Sequence, residues 1–98
     1  LDNFVRAHAG RGQGPARIRQ ELSVLGFPAA DIQAALEAGP DFTALCREVR
    51  ARKFGARPPA SCAERGRQGR FLQYRGFSSD DIRLATGQDP DISEDPTE

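Results

Sequence analysis

The sequence predicts an all-α protein in which tandem three-helix repeats, about six helices in all, stack as helical-hairpin units into an elongated domain. The main observation is one pattern that occurs twice at a constant offset of 50 residues, without a gap, in residues 17–35 and 67–85. A fixed period of this size is typical of repeat architectures. Apolar residues also recur at helical rather than strand spacing. The identical pairs are Arg17/Arg67, Leu22/Leu72, Gly26/Gly76, Phe27/Phe77, Asp31/Asp81, Ile32/Ile82 and Ala35/Ala85.

Each copy of the pattern has the order helix, glycine, aromatic residue, second helix. Gly26 and Gly76 stand where a helix ends in the left-handed conformation, which glycine adopts without steric cost. Phe27 and Phe77 follow directly, so each is expected to fold back onto the helix that it ends. The repeated unit is therefore a helical hairpin, and a preceding helix makes it a three-helix repeat.

The first repeat is predicted to cover residues 1–39. Its first helix reaches about Ala9, and His8 lies at the edge of its apolar stripe. Residues 10–14 read as a flexible glycine-rich linker, because they lack the Lys-Ser/Thr ending of a phosphate-binding loop.

The second helix of this repeat begins at Pro15, a residue suited to the first helical position. Its apolar residues at i, i+4 and i+7 predict a buried stripe. The stripe consists of Ile18, Leu22 and Leu25. The third helix runs from about residue 28 to 38 and ends at Gly39 and Pro40.

The second repeat is predicted to cover residues 40–87. Asp41 is suited to cap the fourth helix, and Ser61 with Glu64 fits a capping box that begins the fifth. Gly66 and Gly69 within the fifth helix favour close approach of another helix. The sixth helix runs from Ser79 to about residue 86, and residues 88–98 are expected to form a disordered acidic tail.

Charge is unevenly distributed along a chain whose net charge is zero. Residues 47–75 contain nine basic and two acidic residues, whereas residues 87–98 contain five acidic residues and no basic one. Thirteen of the 14 basic residues are arginine, the side chain that binds phosphate and carboxylate groups in a bidentate manner. A basic body suggests an anionic partner, although a solvated arginine-rich surface explains the composition equally well.

No pattern of catalytic residues is present. The chain has one histidine, and its two cysteines, Cys46 and Cys62, have no second ligand at metal-binding spacing. We therefore expect two reduced thiols, no cofactor, no metal and no enzymatic activity. No apolar run approaches the length of a membrane span, so we expect none, and the two reduced thiols favour a cytoplasmic protein.

Several segments resemble the bacterial RecX regulatory proteins. Residues 14–22 followed by Leu25-Gly26-Phe27 are similar to the central motif of that family, and residues 52–55 and 70–82 are similar to the repeat that follows it. The resemblance covers about residues 1–86 and leaves the acidic tail outside. It implies tandem three-helix repeats, usually three, of which this chain resembles the second and third.

The resemblance also implies a function. Proteins of this family bind the RecA recombinase filament on single-stranded DNA, inhibit its ATP hydrolysis and strand exchange, and limit filament extension in recombination, DNA repair and the SOS response. If the first repeat of the family is missing, an exposed apolar end face would favour a homodimer. Two alternatives remain at this point: a general nucleic-acid-binding repeat module without RecA preference, and a scaffold that recognises an acidic protein helix.

The predicted partner-binding or DNA-binding residues are arginines outside the apolar stripes, together with one tyrosine that could stack on a base. They belong to the second, fourth and fifth helices. The set is Arg17, Arg19, Arg47, Arg50, Arg67, Arg70 and Tyr74. A further hypothesis is that the acidic tail folds over this basic surface and competes with DNA.

Overall fold

The computed structural model describes residues 1–87 and contains six α-helices, with no strand in that range. The helices are α1 Asp2–Gly10, α2 Pro15–Val24, α3 Ala29–Glu37, α4 Phe42–Phe54, α5 Cys62–Tyr74 and α6 Ser79–Ala85. The predicted all-α repeat fold is confirmed. The boundaries at residues 39 and 87 remain predictions, and the acidic tail lies outside the described residues.

Side chains cap the helices where the sequence predicts them. The Asp41 carboxylate accepts a hydrogen bond from the Ala44 amide at 3.1 Å, and the Ser61 hydroxyl accepts one from the Glu64 amide at 3.1 Å. The Glu64 carboxylate in turn accepts from the Ala60 amide at 2.7 Å. The bonds donated by the Ala44 and Glu64 amides satisfy groups that the first turn of a helix leaves without a partner, so they define where α4 and α5 begin.

The two repeated glycines end α2 and α5 in the same way. Gly26 and Gly76 have φ angles of 97° and 99°. The amides of the following residues, Phe27 and Phe77, each donate to the carbonyl of the leucine five residues earlier, at 3.2 Å. This is the Schellman arrangement that the sequence predicts.

Two apolar cores lie one after the other along the molecule. The first joins α1, α2 and α3 around Ile18, Leu22 and Ile32, which are at most 2% exposed. The second joins α4, α5 and α6 around Cys46 and Leu72. Phe42 and Leu45 of α4 pack against both cores, so α4 connects the two three-helix units. The Cα atoms extend over 49 × 26 × 19 Å, which agrees with the predicted elongated shape.

A second connection joins the end of α5 to the beginning of α2. The Gly14 and Ala16 amides donate to the carbonyls of Arg75 and Gly76, at 2.6 and 3.0 Å. A Cβ atom on Gly14 would lie 2.6 Å from the Phe77 amide nitrogen, so only glycine fits. Free amides at a helix start thus meet free carbonyls at a helix end, which brings the opposite partial charges of the two helix ends together.

Two sequence expectations are wrong. Leu25 is 62% exposed rather than buried, because it follows the last turn of α2 and no described element covers it. Residues 10–14 do more than link two helices. Gly12 and Gly14 are buried, and Gly12 packs beside Val49 and Arg75. No helix within residues 1–87 is long and apolar enough to cross a membrane.

Candidate partner-binding surface

Three of the predicted site residues form one surface on α5. Arg67, Arg70 and Tyr74 are exposed, and their spacing of three and four residues places them on one side of the helix. The buried residues of α5, Gln68 and Leu72, lie on the opposite side. We call the surface formed by Arg67, Arg70 and Tyr74 the α5 outer face. It presents two guanidinium groups and a phenol ring that is 81% exposed.

Arg17 lies next to this face although it belongs to the other unit. Its Nη1 atom donates to the Tyr74 carbonyl at 3.3 Å, and its Nε atom lies 3.7 Å from the Glu21 carboxylate. Arg17 and Tyr74 also line a cleft of about 690 Å³ between the units, together with the exposed side chains of Val24 and Leu25. Arg17 therefore helps to hold the units together and continues the α5 outer face across their junction.

Two other predicted residues are exposed but have different surroundings. Arg19 donates to the Gln33 side chain at 3.1 Å, and Gln33 donates to Glu37 at 2.9 Å, so Arg19 is turned toward α3. Arg47 is exposed on α4. No contact described for either residue joins it to the α5 outer face.

Like Arg47, Arg50 is predicted from the sequence to lie outside the apolar stripe of the fourth helix, and for Arg50 this placement is wrong. Arg50 is 6% exposed. Its guanidinium donates to the Gly55, Ala56 and Arg57 carbonyls at 3.0, 3.4 and 3.2 Å, and to the Gln68 side-chain oxygen at 3.2 Å. These acceptors compensate for the loss of water, which an unpaired buried cation could not tolerate.

The structure adds a small pocket that the sequence prediction missed. Phe54, Arg57 and Arg67 line it, with Gln68 at its inner side, and its volume is about 320 Å³. Within residues 1–87 neither Arg57 nor Arg67 has a carboxylate within 4.0 Å of its guanidinium. Phe54, which forms one wall of this pocket, belongs to the motif Arg52-Lys53-Phe54-Gly55 on which part of the family resemblance is based.

The ring of Phe71 connects the aromatic and basic residues at this end of the molecule. Lys53 and Arg75 lie 5.4 and 5.5 Å from its centroid, and Phe54 meets it at an interplanar angle of 89°. Cation–π contacts of this kind hold charged side chains near apolar ones. Contact with the Phe71 ring therefore helps to hold the Lys53 and Arg75 side chains in position.

The remaining chemically notable side chains have structural surroundings. His8 stacks on Phe4 with ring centroids 3.9 Å apart, and its Nε2 atom lies 3.2 Å from the Glu21 carboxylate. Burial, and secondarily the Asp81 carboxylate, raises the pKa of the Cys46 thiol to about 12. Cys62 is exposed. Within the described part of the chain, no three His, Cys, Asp or Glu side chains come together as a metal site.

Comparison with known proteins gives two family matches that follow each other along the chain. Residues 2–36 match the model described as RecX, second three-helix domain, and residues 41–86 match RecX, third three-helix domain. The chain is 48% identical over 93 residues to the regulatory protein RecX of Pseudomonas fluorescens. It is 46% and 45% identical to those of Pseudomonas syringae pv. tomato and Pseudomonas putida. Each alignment covers 93% of this chain and 60% of the relative.

The fold and surface define the class first: an all-helical repeat protein that presents an arginine-bearing face. The matches then define the family. The chain belongs to the RecX regulatory protein family and contains its second and third three-helix domains. The resemblance inferred from the repeated motif is confirmed. The chain spans 60% of the length of the curated relatives that it matches.

Proposed function

We propose that this chain is a cytoplasmic, non-catalytic regulator that binds the RecA filament on single-stranded DNA. Binding inhibits ATP hydrolysis and strand exchange and limits filament extension in recombination, DNA repair and the SOS response. The observation that carries the proposal is membership of the RecX family, with two domains matched in order.

The α5 outer face and Arg17 are the proposed contact surface. Arg67 and Arg70 make no ion pair within residues 1–87, so their guanidinium groups are available to an anionic partner. Tyr74 provides an exposed ring beside them. Arg19 and Arg47 remain proposed secondary contacts, whereas the burial of Arg50 leaves its guanidinium without access to a partner.

A second function is a nucleic-acid-binding module without RecA preference. The exposed arginines favour it as much as they favour the filament, because phosphate contacts need no particular protein partner. The two functions differ in their dependence on RecA. A module that binds through phosphate contacts alone should lose affinity steeply as the salt concentration increases, and its affinity should not depend on RecA.

Binding to preformed RecA filaments and to bare single-stranded DNA, at the same salt concentration, tests the proposal. Fluorescence anisotropy of a dye on Cys62 would report both, since Cys62 is exposed and Cys46 is buried. We expect binding to the filament at concentrations well below those needed for bare DNA. Equal affinity for the two would support the general nucleic-acid-binding module instead.

A further inference from the structure

The pocket at the end of α4 is defined by Phe54, Arg57 and Arg67, and we call it the Phe54 pocket. It has a volume of about 320 Å³ and lies between the last turn of α4, the connector of residues 55–60 and the beginning of α5. Phe54 is 36% exposed, and its contact with Phe71 fixes its ring. The pocket thus combines an accessible aromatic ring with two cationic side chains.

The electrostatics of the pocket favour an anion. Arg57 and Arg67 contribute two positive charges, and Glu64 contributes one negative charge. The Glu64 carboxylate lies in the first turn of α5 and accepts a hydrogen bond from the Ala60 amide, so the positive end of the helix dipole partly offsets its charge. Within residues 1–87 the buried Arg50 guanidinium is bonded to neutral oxygens only, so a further positive charge lies behind the inner side of the pocket.

Arg50 also fixes the shape of the pocket. It holds three consecutive carbonyls of the connector, including that of Arg57, and it holds the side chain of Gln68 on α5. One buried side chain therefore sets both walls in position. A site that is ordered before binding loses less conformational entropy when a ligand enters.

We propose that Phe54, Arg57 and Arg67 form a subsite for one nucleotide of single-stranded nucleic acid, whose base stacks on Phe54 and whose phosphate pairs with both guanidinium groups. Aromatic rings alternating with cationic side chains are the arrangement that binds single strands without sequence preference. Arg67 belongs to both the pocket and the α5 outer face. The strand can therefore continue past Arg70 to Tyr74, about 10 Å further along the helix. This proposal depends on the proposed function in one respect: the natural ligand of the subsite is the single-stranded DNA within the RecA filament.

The test uses bare single-stranded DNA and no RecA, so that its failure is distinct from failure of the proposed function. The probe is a short fluorescein-labelled oligo(dT), titrated with the whole chain at several salt concentrations. Phe54→Leu keeps an apolar side chain against Phe71 but removes the stacking face. It should lower affinity fivefold or more and leave the salt dependence unchanged. Phe54→Tyr keeps an aromatic face and should restore binding.

Arg57→Gln should also weaken binding, but with a different signature. Loss of one phosphate contact should reduce the slope of log affinity against log salt by about 0.7. Arg6→Gln removes the same charge from an exposed site on α1 and is the matched control, with affinity and slope close to the wild type. Glu64→Gln removes the negative charge from the pocket and should tighten binding.

Three results would overturn the subsite. One is absence of oligo(dT) binding by the wild-type chain at low salt. Another is an affinity for oligo(dT) that stays at the wild-type value in both Phe54→Leu and Arg57→Gln. The third is a loss of affinity in Arg6→Gln as large as the loss in Arg57→Gln. In each case binding to the RecA filament could still be observed, so the proposed function would stand or fall on its own experiment.

Discussion

At the scale of the residue, Arg50 shows that a basic side chain in an arginine-rich protein can be structural. Its guanidinium serves four oxygen acceptors near the end of α4, where cations also interact favourably with the helix dipole. Arg47, three residues earlier on the same helix, is exposed. The two residues therefore provide a matched comparison.

Arg50→Met should lower the free energy of unfolding by about 2 kcal/mol, because the carbonyl groups that it serves lose their donors. Arg47→Met should change it by less than about 0.5 kcal/mol, as surface substitutions usually do. Urea denaturation measures both values. Equal effects would contradict the structural role of Arg50.

The two cysteines differ in burial and should differ in reactivity. A thiol reagent should label Cys62 rapidly in the folded protein and Cys46 only after unfolding, because the thiolate is the reactive form and the pKa of Cys46 is about 12. The comparison is between labelling in buffer and in denaturant. Rapid labelling of both thiols in buffer would show that the second core is open.

The same pKa shift makes stability depend on pH in the alkaline range. Above pH 9 an unfolded Cys46 loses its proton, whereas the folded thiol keeps it until about pH 12. The unfolded state then binds fewer protons, so stability falls as pH rises from 9 to 12. Cys46→Ala should show a shallower fall in urea denaturation over this range, and an identical fall would contradict the assignment.

At the scale of the element, the junction between α5 and α2 can be tested by comparing Gly76, which lies in the junction, with Gly26, which does not. Gly26 ends α2 and Gly76 ends α5 with the same kind of turn and nearly the same φ angle, but their surroundings differ. A Cβ atom on Gly26 would meet nothing within 4 Å, whereas one on Gly76 would lie 2.6 Å from the Cβ of Arg17. Alanine substitutions at the two positions therefore separate the free-energy cost of a left-handed residue with a side chain from the cost of disturbing the junction.

Gly26→Ala should destabilise the chain by about 1 kcal/mol, the cost of a left-handed residue with a side chain. Gly76→Ala should cost about 2 kcal/mol more, because the added methyl group also forces α2 away from α5. Denaturation midpoints and slopes in urea give both values. If the two variants are equally stable, the helix-end junction does not hold the units together.

Sequence periodicity predicted the elements well because it reports local structure. The glycine stops, the Asp41 and Ser61 caps and the order of the six helices all follow from residues close together in the chain. Burial that depends on distant partners was harder to predict. Leu25 continues the apolar stripe of α2, yet no described element covers it.

The surface was predicted less completely than the helices, for the same reason. Arg67, Arg70 and Tyr74 share one face of one helix, so spacing alone places them together. Arg50 follows the buried Cys46 by one helical turn, but its burial depends on the carbonyls of a connector that periodicity does not describe. Arg57 lies in that connector and was missed.

At the scale of the whole molecule, two three-helix units form one elongated body. Phe42 and Leu45 pack against both cores, and the Gly14–Gly76 contact fixes the units a second time. Arg17 and Tyr74, from different units, are therefore held side by side. Such a body can present one continuous arginine-bearing surface to an extended anionic partner.

The proposed role of this surface is to regulate the RecA filament. The most direct measurement is ATP hydrolysis by preformed RecA filaments on single-stranded DNA, with increasing amounts of the chain. We expect the wild type to inhibit hydrolysis, and the double variant Arg67→Ala/Arg70→Ala to inhibit much less at an unchanged melting temperature. A variant with Arg6 and Arg11 replaced by alanine loses the same charge elsewhere and should inhibit like the wild type. No inhibition by the wild type, or undiminished inhibition by the Arg67/Arg70 variant, would contradict the claim.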